Sequence, residues 1–256
     1  MRLLAFWSTS TRCASSLPEY SKKRNFFFGE TEISEIFIET AEESAFFGKP
    51  KGKYVTVEAD FPRLPFGNFE NEALAVSAEL KKLLPENGNV LAVGIGNGFL
   101  TADSLGPLSA ENLLCGEFFG RKLFALVPGV FGRTGIEPEI LIKAAVEKLS
   151  PAAVIIIDSL AAESAKNVCR SVQICDSGLA PGSGFGKGKT ALSKETLGVP
   201  VVAIGSPTVT RLSDSDFVSP GDIDILVRRT AKLISAAVNL AVFPEAGMDF
   251  IKGIIL

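Results

Sequence analysis

The 256-residue chain contains no histidine. That absence excludes every histidine-dependent scheme: Ser-His-Asp and Cys-His nucleophiles, an imidazole general base and imidazole metal ligands. Cysteine is scarce as well. Cys13, Cys115, Cys169 and Cys175 form no C-x-x-C pair, which suits reduced, structural thiols in a cytoplasmic protein. No apolar run reaches the roughly 18–20 residues needed to span a bilayer. The N-terminal Leu3-Leu4-Ala5-Phe6-Trp7 is shorter than the roughly 7–15 residues of a signal-peptide core. Neither sign of charge dominates: 26 Lys and Arg against 29 Asp and Glu leave a net charge of −3, so no global electrostatic case for nucleic acid exists. What remains is globular composition, 46% hydrophobic and 21% charged, in a length that suits one large α/β unit.

Residues 1–32 read as a mobile leader or propeptide, Ser/Thr-rich at first and then basic at Lys22-Lys23-Arg24, although the adjacent Phe26-Phe27-Phe28 require burial. Residues 33–256 read as a single domain. Ile33–Ile38 and Lys53–Glu58 alternate as strands, joined by a turn over Gly48–Gly52, and residues 69–84 have helical spacing. A regular rhythm follows. Val90–Val93, Leu123–Val127, Ala153–Ile157, Val168–Ile174 and Val199–Ile204 read as strands, with helices near 105–114, 137–149 and 223–242. Continuously apolar strands alternating with helices predict an α/β fold: a mostly parallel sheet flanked by helices on both faces, with extra N-terminal strands.

In such a sheet, ligand sites form outside the carboxyl ends of the strands. Four polar, Gly-rich segments are expected there: Gly94–Asp103, Pro128–Glu137, Asp158–Ala161 and Asp176–Gly186. Asp158 follows Ala-Val-Ile-Ile-Ile, where an apolar core opens to solvent. Two readings are open for it: an N-cap for a following helix, or a reactive carboxylate at the rim. Asp103, before Ser-Leu-Gly-Pro, carries the same ambiguity. If the two approach each other, repulsion splits their titration, and such a pair activates water as a base and protonates a leaving amine as an acid. Asn97, Gly98, Thr134, Glu137, Asp176, Gly182, Ser183 and Gly184, on the same segments, are the candidate substrate-binding residues.

Other motifs fit less well. Gly94-x-Gly96-x-Gly98 places its third glycine one position early for a dinucleotide loop, where Phe99 stands. Ser183 to Thr190 departs from the phosphate-loop pattern at Ser183, and no clear helix follows. Glu137 and Asp176 lack His or Cys partners for a metal site, and Ser159 and Ser183 lack a base unless Lys187 or Lys189 serves. No cofactor and no metal are expected.

The motifs together resemble the spore germination protease family, endopeptidases that digest small acid-soluble spore proteins. The matching segments keep their order: Gly48-Lys49-Pro50 and Gly52–Glu58; Val93–Asn97; Thr101–Pro107; Pro128-Gly129-Val130; Thr134–Glu137; Ile157–Ala162; Gln173–Gly178; Pro181–Gly184; Ser193–Pro200; then Ala203-Ile204-Gly205 and Pro207-Thr208-Val209. The resemblance implies a sheet like that of the hydrogenase-maturation endopeptidases and catalysis by two aspartates, which fall on Asp103 and Asp158. It also implies a zymogen, a tetramer, location in the spore core or forespore, and a protein substrate, with no nucleic-acid or membrane partner. Three departures stand out. The segment between Pro107 and Pro128 is shorter than usual and lacks the family's histidine, Glu163 replaces an arginine, and Lys187 replaces an asparagine. Glu163 and the shortened segment leave one alternative, a paralogue that binds peptides without cutting them; the related hydrogenase-maturation peptidases suggest another, a metal-directed cut, although such sites ordinarily include a histidine that this chain cannot supply.

Overall fold

In the computed structural model, residues 22–64, 69–162, 164–180, 190–211 and 216–255 are described. Gly182, Ser183, Gly184, Lys187, Lys189 and Glu163 lie outside the described residues.

The framework is a ten-stranded sheet in the order β1-β2-β3-β8-β9-β7-β4-β6-β5, with β10 (Phe217–Val218) paired to β9. Its parallel middle is β9 (Val201–Arg211), β7 (Ala153–Ala162), β4 (Val90–Gly94) and β6 (Arg121–Leu126). Every residue of β4 and the first five of β7 are buried, as their unbroken apolar runs predict for strands covered on both faces. A wing of β1 (Lys22–Phe28), β2 (Thr31–Ile38), β3 (Gly52–Glu58) and β8 (Ser171–Cys175) runs antiparallel on one side, and short β5 (Gly116–Phe118) closes the other. The N-terminal strands are thus extra strands added to an α/β sheet.

Helices cover both faces. α2 (Glu70–Leu83), α3 (Leu105–Glu111) and α7 (Ile223–Val242) bury Ala73, Val76, Leu80, Leu105, Ile234 and Val238 in one cluster with Ile155 and Ile157. α5 (Pro138–Leu149) buries Ile142 and Val146 against Val93, Val154 and Ile156 on the opposite face. Among the described residues no single helix is long and apolar enough to cross a membrane. The remaining helices are short: α1 (Ala41–Phe47), α4 (Phe131–Thr134), α6 (Lys194–Leu197) and the C-terminal α8 (Gly247–Ile255).

Within the segment read as a leader or propeptide, Lys22–Phe28 forms β1, which pairs with β2 along its whole length, from Lys22 opposite Phe37 to Phe28 opposite Thr31. Two expectations are corrected. The connection between β2 and β3 is more than a turn. It holds α1, started by a reciprocal capping box in which Thr40 accepts from the Glu43 amide and Glu43 accepts from the Thr40 amide. β7 does not stop at Ile157; it continues beside β9 through Asp158 opposite Gly205 to Ala162 opposite Thr210.

Candidate active site

β4 lies between β6 and β7. The chain leaves β4 through α3 on one face to reach β6, then returns through α5 on the other face to reach β7 on the far side of β4. This reversal makes the carboxyl ends of β4 and β7 a topological switch point, where the two crossovers diverge and where open α/β sheets place their ligand crevice.

The crevice is built by close backbone approach. Gly94 pairs with Ile157, and the Ile95 amide donates to the Ile157 carbonyl at 2.9 Å. The first turn of α3 then wedges in at Gly106, where a Cβ would stand 2.2 Å from the Ile95 oxygen and 2.5 Å from the Ile157 oxygen. Only glycine fits. Gly96 has φ +129°, a conformation that side chains disfavour, and a Cβ there would lie 2.1 Å from the Asp103 carbonyl. That fold-back brings the Asn97 amide onto Asp103 Oδ2 at 2.8 Å, and Thr208 of β9 braces the loop through its hydroxyl donating to the Ala102 carbonyl at 2.5 Å.

Asp103 therefore ends the 3-10 turn Thr101–Asp103 as a half-buried carboxyl at the mouth of the crevice. The helix-cap reading fails, because the N-cap position of α3 is Ser104 and no side chain caps it. Burial raises the Asp103 pKa above the ordinary carboxylate value, and the Asn97 amide offsets this only in part. Asp158 also fails to cap a helix, since strand continues past it. It is half-buried, its Oδ1 accepts from the Ser159 amide at 2.8 Å, and the alternation of β7 puts it on the α5 face with Val154 and Ile156.

The other candidates separate. Asn97 and Gly98 share the Asp103 loop, but the Asn97 amide is taken by Asp103 and its Oδ1 accepts from the Phe99 amide at 3.1 Å. Thr134 and Glu137 lie on the segment after β6, at the same rim. The Thr134 hydroxyl is engaged in its own turn, donating to the Val130 and Ile136 carbonyls, and Glu137 occupies the N-cap position of α5 without a side-chain cap bond. Asp176 belongs elsewhere. β8 runs antiparallel to β9, with Gln173 opposite Gly205 and Cys175 opposite Ala203, so Asp176 stands toward the opposite rim from Asp158. There its Oδ1 accepts from the Lys53 amide at 2.7 Å.

Sequence reasoning missed Gly106, Thr208 and Arg133. The motif Leu105-Gly106-Pro107 signalled a close approach, and Thr208 lay within Pro207-Thr208-Val209. Nothing in the pattern foretold that Arg133 would stack 3.8 Å from the Phe99 ring centroid and tie the two rim loops together. Among the described residues no group of three or more His, Cys, Asp or Glu is placed to hold a metal ion.

Fold and rim together define an α/β protein with paired crossovers and two carboxylates at its switch point. The sequence model of the germination protease family matches residues 19–216, well over half the chain, and the chain belongs to that family. It is 36% identical to the germination protease of Bacillus subtilis (strain 168) over 230 residues, which is 83% of this chain and 62% of that protein. It is 39% identical to the germination protease of Geobacillus sp. (strain WCH70) over 209 residues, 75% of this chain and 55% of that one. The chain thus spans less than two thirds of the length of these relatives. Among solved structures, the NiFe hydrogenase maturation protease HycI from Thermococcus kodakarensis aligns with a TM-score of 0.40 and 19% identity, over 62% of this chain and 98% of that one.

Proposed function

We propose that this chain is an endopeptidase acting on small acid-soluble spore proteins, and that Asp103 and Asp158 hold the hydrolytic water between them. The observation that supports the reading is positional: Asp103, on the loop after β4, and Asp158, on β7 just past the residue that pairs with Gly94, are both half-buried at the carboxyl-end rim, and neither caps a helix. Burial favours the protonated form of Asp103, which suits it to be the acid. Asp158 takes a proton from water as its oxygen attacks the scissile carbonyl carbon. Asp103 then gives its proton to the amide nitrogen as the C–N bond breaks. The Asn97 backbone amide holds the Asp103 carboxyl in place, so Asn97 enters through its side-chain Nδ2, with the Gly98 backbone, as a donor to the developing oxyanion.

The test is digestion of a purified small acid-soluble spore protein by the full chain, beside Asp103→Asn and Asp158→Asn. Each substitution is expected to lower kcat by about 100-fold or more. Unchanged cleavage in both variants eliminates the pair mechanism. Tight binding of the spore protein by the unaltered chain with no cleavage favours the peptide-binding alternative.

A further inference from the structure

β7 runs on past the end of β4. The two pair as far as Gly94 opposite Ile157, and the Ile95 amide makes the last bond, to the Ile157 carbonyl. Gly96, with φ +129°, then turns the chain off this line and back onto Asp103. On its other edge β7 stays paired with β9 through Ala162 opposite Thr210. Residues 158–162 are thus held as strand from one side, and among the described residues nothing pairs with the other. Residues 164–180 do not double back along it: they run through the 3-10 turn Ala165–Asn167 into β8, beyond β9. β10 pairs with Thr210 and Arg211 from that same far side, because β7 already holds the near edge of β9.

We propose that this edge docks the substrate: an extended segment of the spore protein lies along β7 as an added strand, in line with β4, with the scissile bond beside Asp158. The inference rests on the proposed endopeptidase reading and adds how the peptide is held. Successive residues of a strand direct their main-chain groups to alternate edges. The Ile157 carbonyl faces β4, so the main-chain groups of Ser159 and Ala161 face the same way, toward the crevice. The Ser159 amide donates to Asp158 Oδ1 at 2.8 Å, which brings the candidate carboxylate onto the line of the ladder. The Ser159 carbonyl, the Ala161 amide and the Ala161 carbonyl continue that line as acceptor, donor and acceptor. Ser159 and Ala161 are half-buried, whereas Leu160 and Ala162 between and beyond them are buried, so the groups on this edge belong to the residues that solvent reaches. Pairing through the main chain supplies affinity with little demand on sequence. It selects instead for a segment with free backbone groups, which is a stretch of chain not already folded into its own helix or sheet.

Short peptides tiled through a small acid-soluble spore protein test it. Fluorescence anisotropy reads their binding to the full chain carrying Asp103→Asn, which leaves β7 unaltered, and cleavage by the unaltered chain is followed in parallel. In the tightest-binding peptide, a single N-methyl group is moved along the backbone one residue at a time. It is expected to raise the dissociation constant about tenfold at two positions two residues apart, whose amides meet the Ser159 and Ala161 carbonyls, and to change it little at the position between them. Ala161→Pro removes the donor on the open edge and no bond to β9, and is expected to weaken binding by a similar factor. If Ala161→Pro does not fold, the N-methyl series decides alone, since it leaves the protein unaltered. Equal losses at all three positions, no loss at any of them, or no peptide bound would overturn the docking. Periodic losses without cleavage would keep the docking and remove the proposed activity; cleavage without periodic losses would do the reverse.

Discussion

The two halves of the sheet are held together by different means. In the parallel middle, β4 and the start of β7 bury every side chain, all apolar, between α5 on one face and α3 and α7 on the other. In the antiparallel wing an ionic link is added to the apolar packing of Ile33, Val55 and Val57 with α2. Lys53 of β3 reaches Glu35 of β2 at 2.5 Å and Glu79 of α2 at 3.3 Å, and Lys82 adds a second cation to Glu79 at 2.5 Å. Glu35 is 6% exposed and Glu79 is 1% exposed, so these charges clamp α2 to the wing from inside. A fully apolar interior tolerates any pH, whereas a buried ion cluster holds only while both signs are present. The half that carries the candidate chemistry is therefore the half whose framework does not titrate.

That contrast breaks most openly at Lys53. Lys53→Ala leaves Glu35 and Glu79 buried with one partly exposed cation between them, and is expected to cost about 3–5 kcal/mol at pH 7. Ile155→Ala, in the parallel middle, removes a fully buried side chain and is expected to cost about 2–5 kcal/mol. Urea titrations at pH 7 and pH 5 tell the two apart. The Lys53 deficit should shrink at pH 5, where the abandoned carboxylates take up protons, while the Ile155 deficit should stay constant. Equal pH dependence would show that the ion cluster is no clamp.

The intact cluster has its own acid limit. Burial alone would raise the Glu35 pKa, but the hydrogen bond and charge of Lys53, with help from Lys82, outweigh it and hold Glu35 below its ordinary 4.5. A carboxylate lowered in the folded state contributes stability above its unfolded value, and that contribution fades as pH falls through the folded value. The chain should lose stability below about pH 4.5, and Glu35→Gln should lose less over the same interval. Chemical unfolding at pH 6, 4.5 and 3.5 checks this, and parallel curves for the two proteins would remove Glu35 from the account.

The same division decides what the sequence discloses. Apolar runs such as Val90–Val93 and Ala153–Ile157 announce strands buried on both faces, and the spacing over 223–242 matches α7 residue for residue. The rim was legible to the extent that its loops follow those strands, which is how Asp103 and Asp158 came to notice. The direction of β8 was not legible. A run such as Ser-Val-Gln-Ile-Cys reads the same whether its neighbour runs with it or against it, and the antiparallel pairing moved Asp176 to the other rim. β7 extends through Asp158-Ser159 because β9 pairs with it, although Asp-Ser is by itself a helix-start signal. α1 escaped notice despite its Thr40-x-x-Glu43 box, since the glycines and proline from Gly48 onward drew attention to a turn.

The smallest expected effect is the most pointed comparison between the two carboxylate environments. Asp103 sits over the non-titrating half with its pKa raised by burial, the reverse of Glu35. A carboxyl raised in the folded state opposes the native fold once the unfolded chain ionises, so this cost is absent below the unfolded value, grows as pH rises from the unfolded value to the folded one, and is constant above it. Asp103→Asn keeps an oxygen for the Asn97 amide and removes the charge. It is expected to stabilise the chain at pH 7 by on the order of 1 kcal/mol or less, and by nothing near pH 3, while cleavage falls. Glu35→Gln should show the opposite sign at pH 7. If Asp103→Asn were destabilising at pH 7 by as much as Glu35→Gln, then Asp103 would be a framework charge like those of the wing, held in place to support the loop, and its reading as a proton donor at the switch point would fall with it.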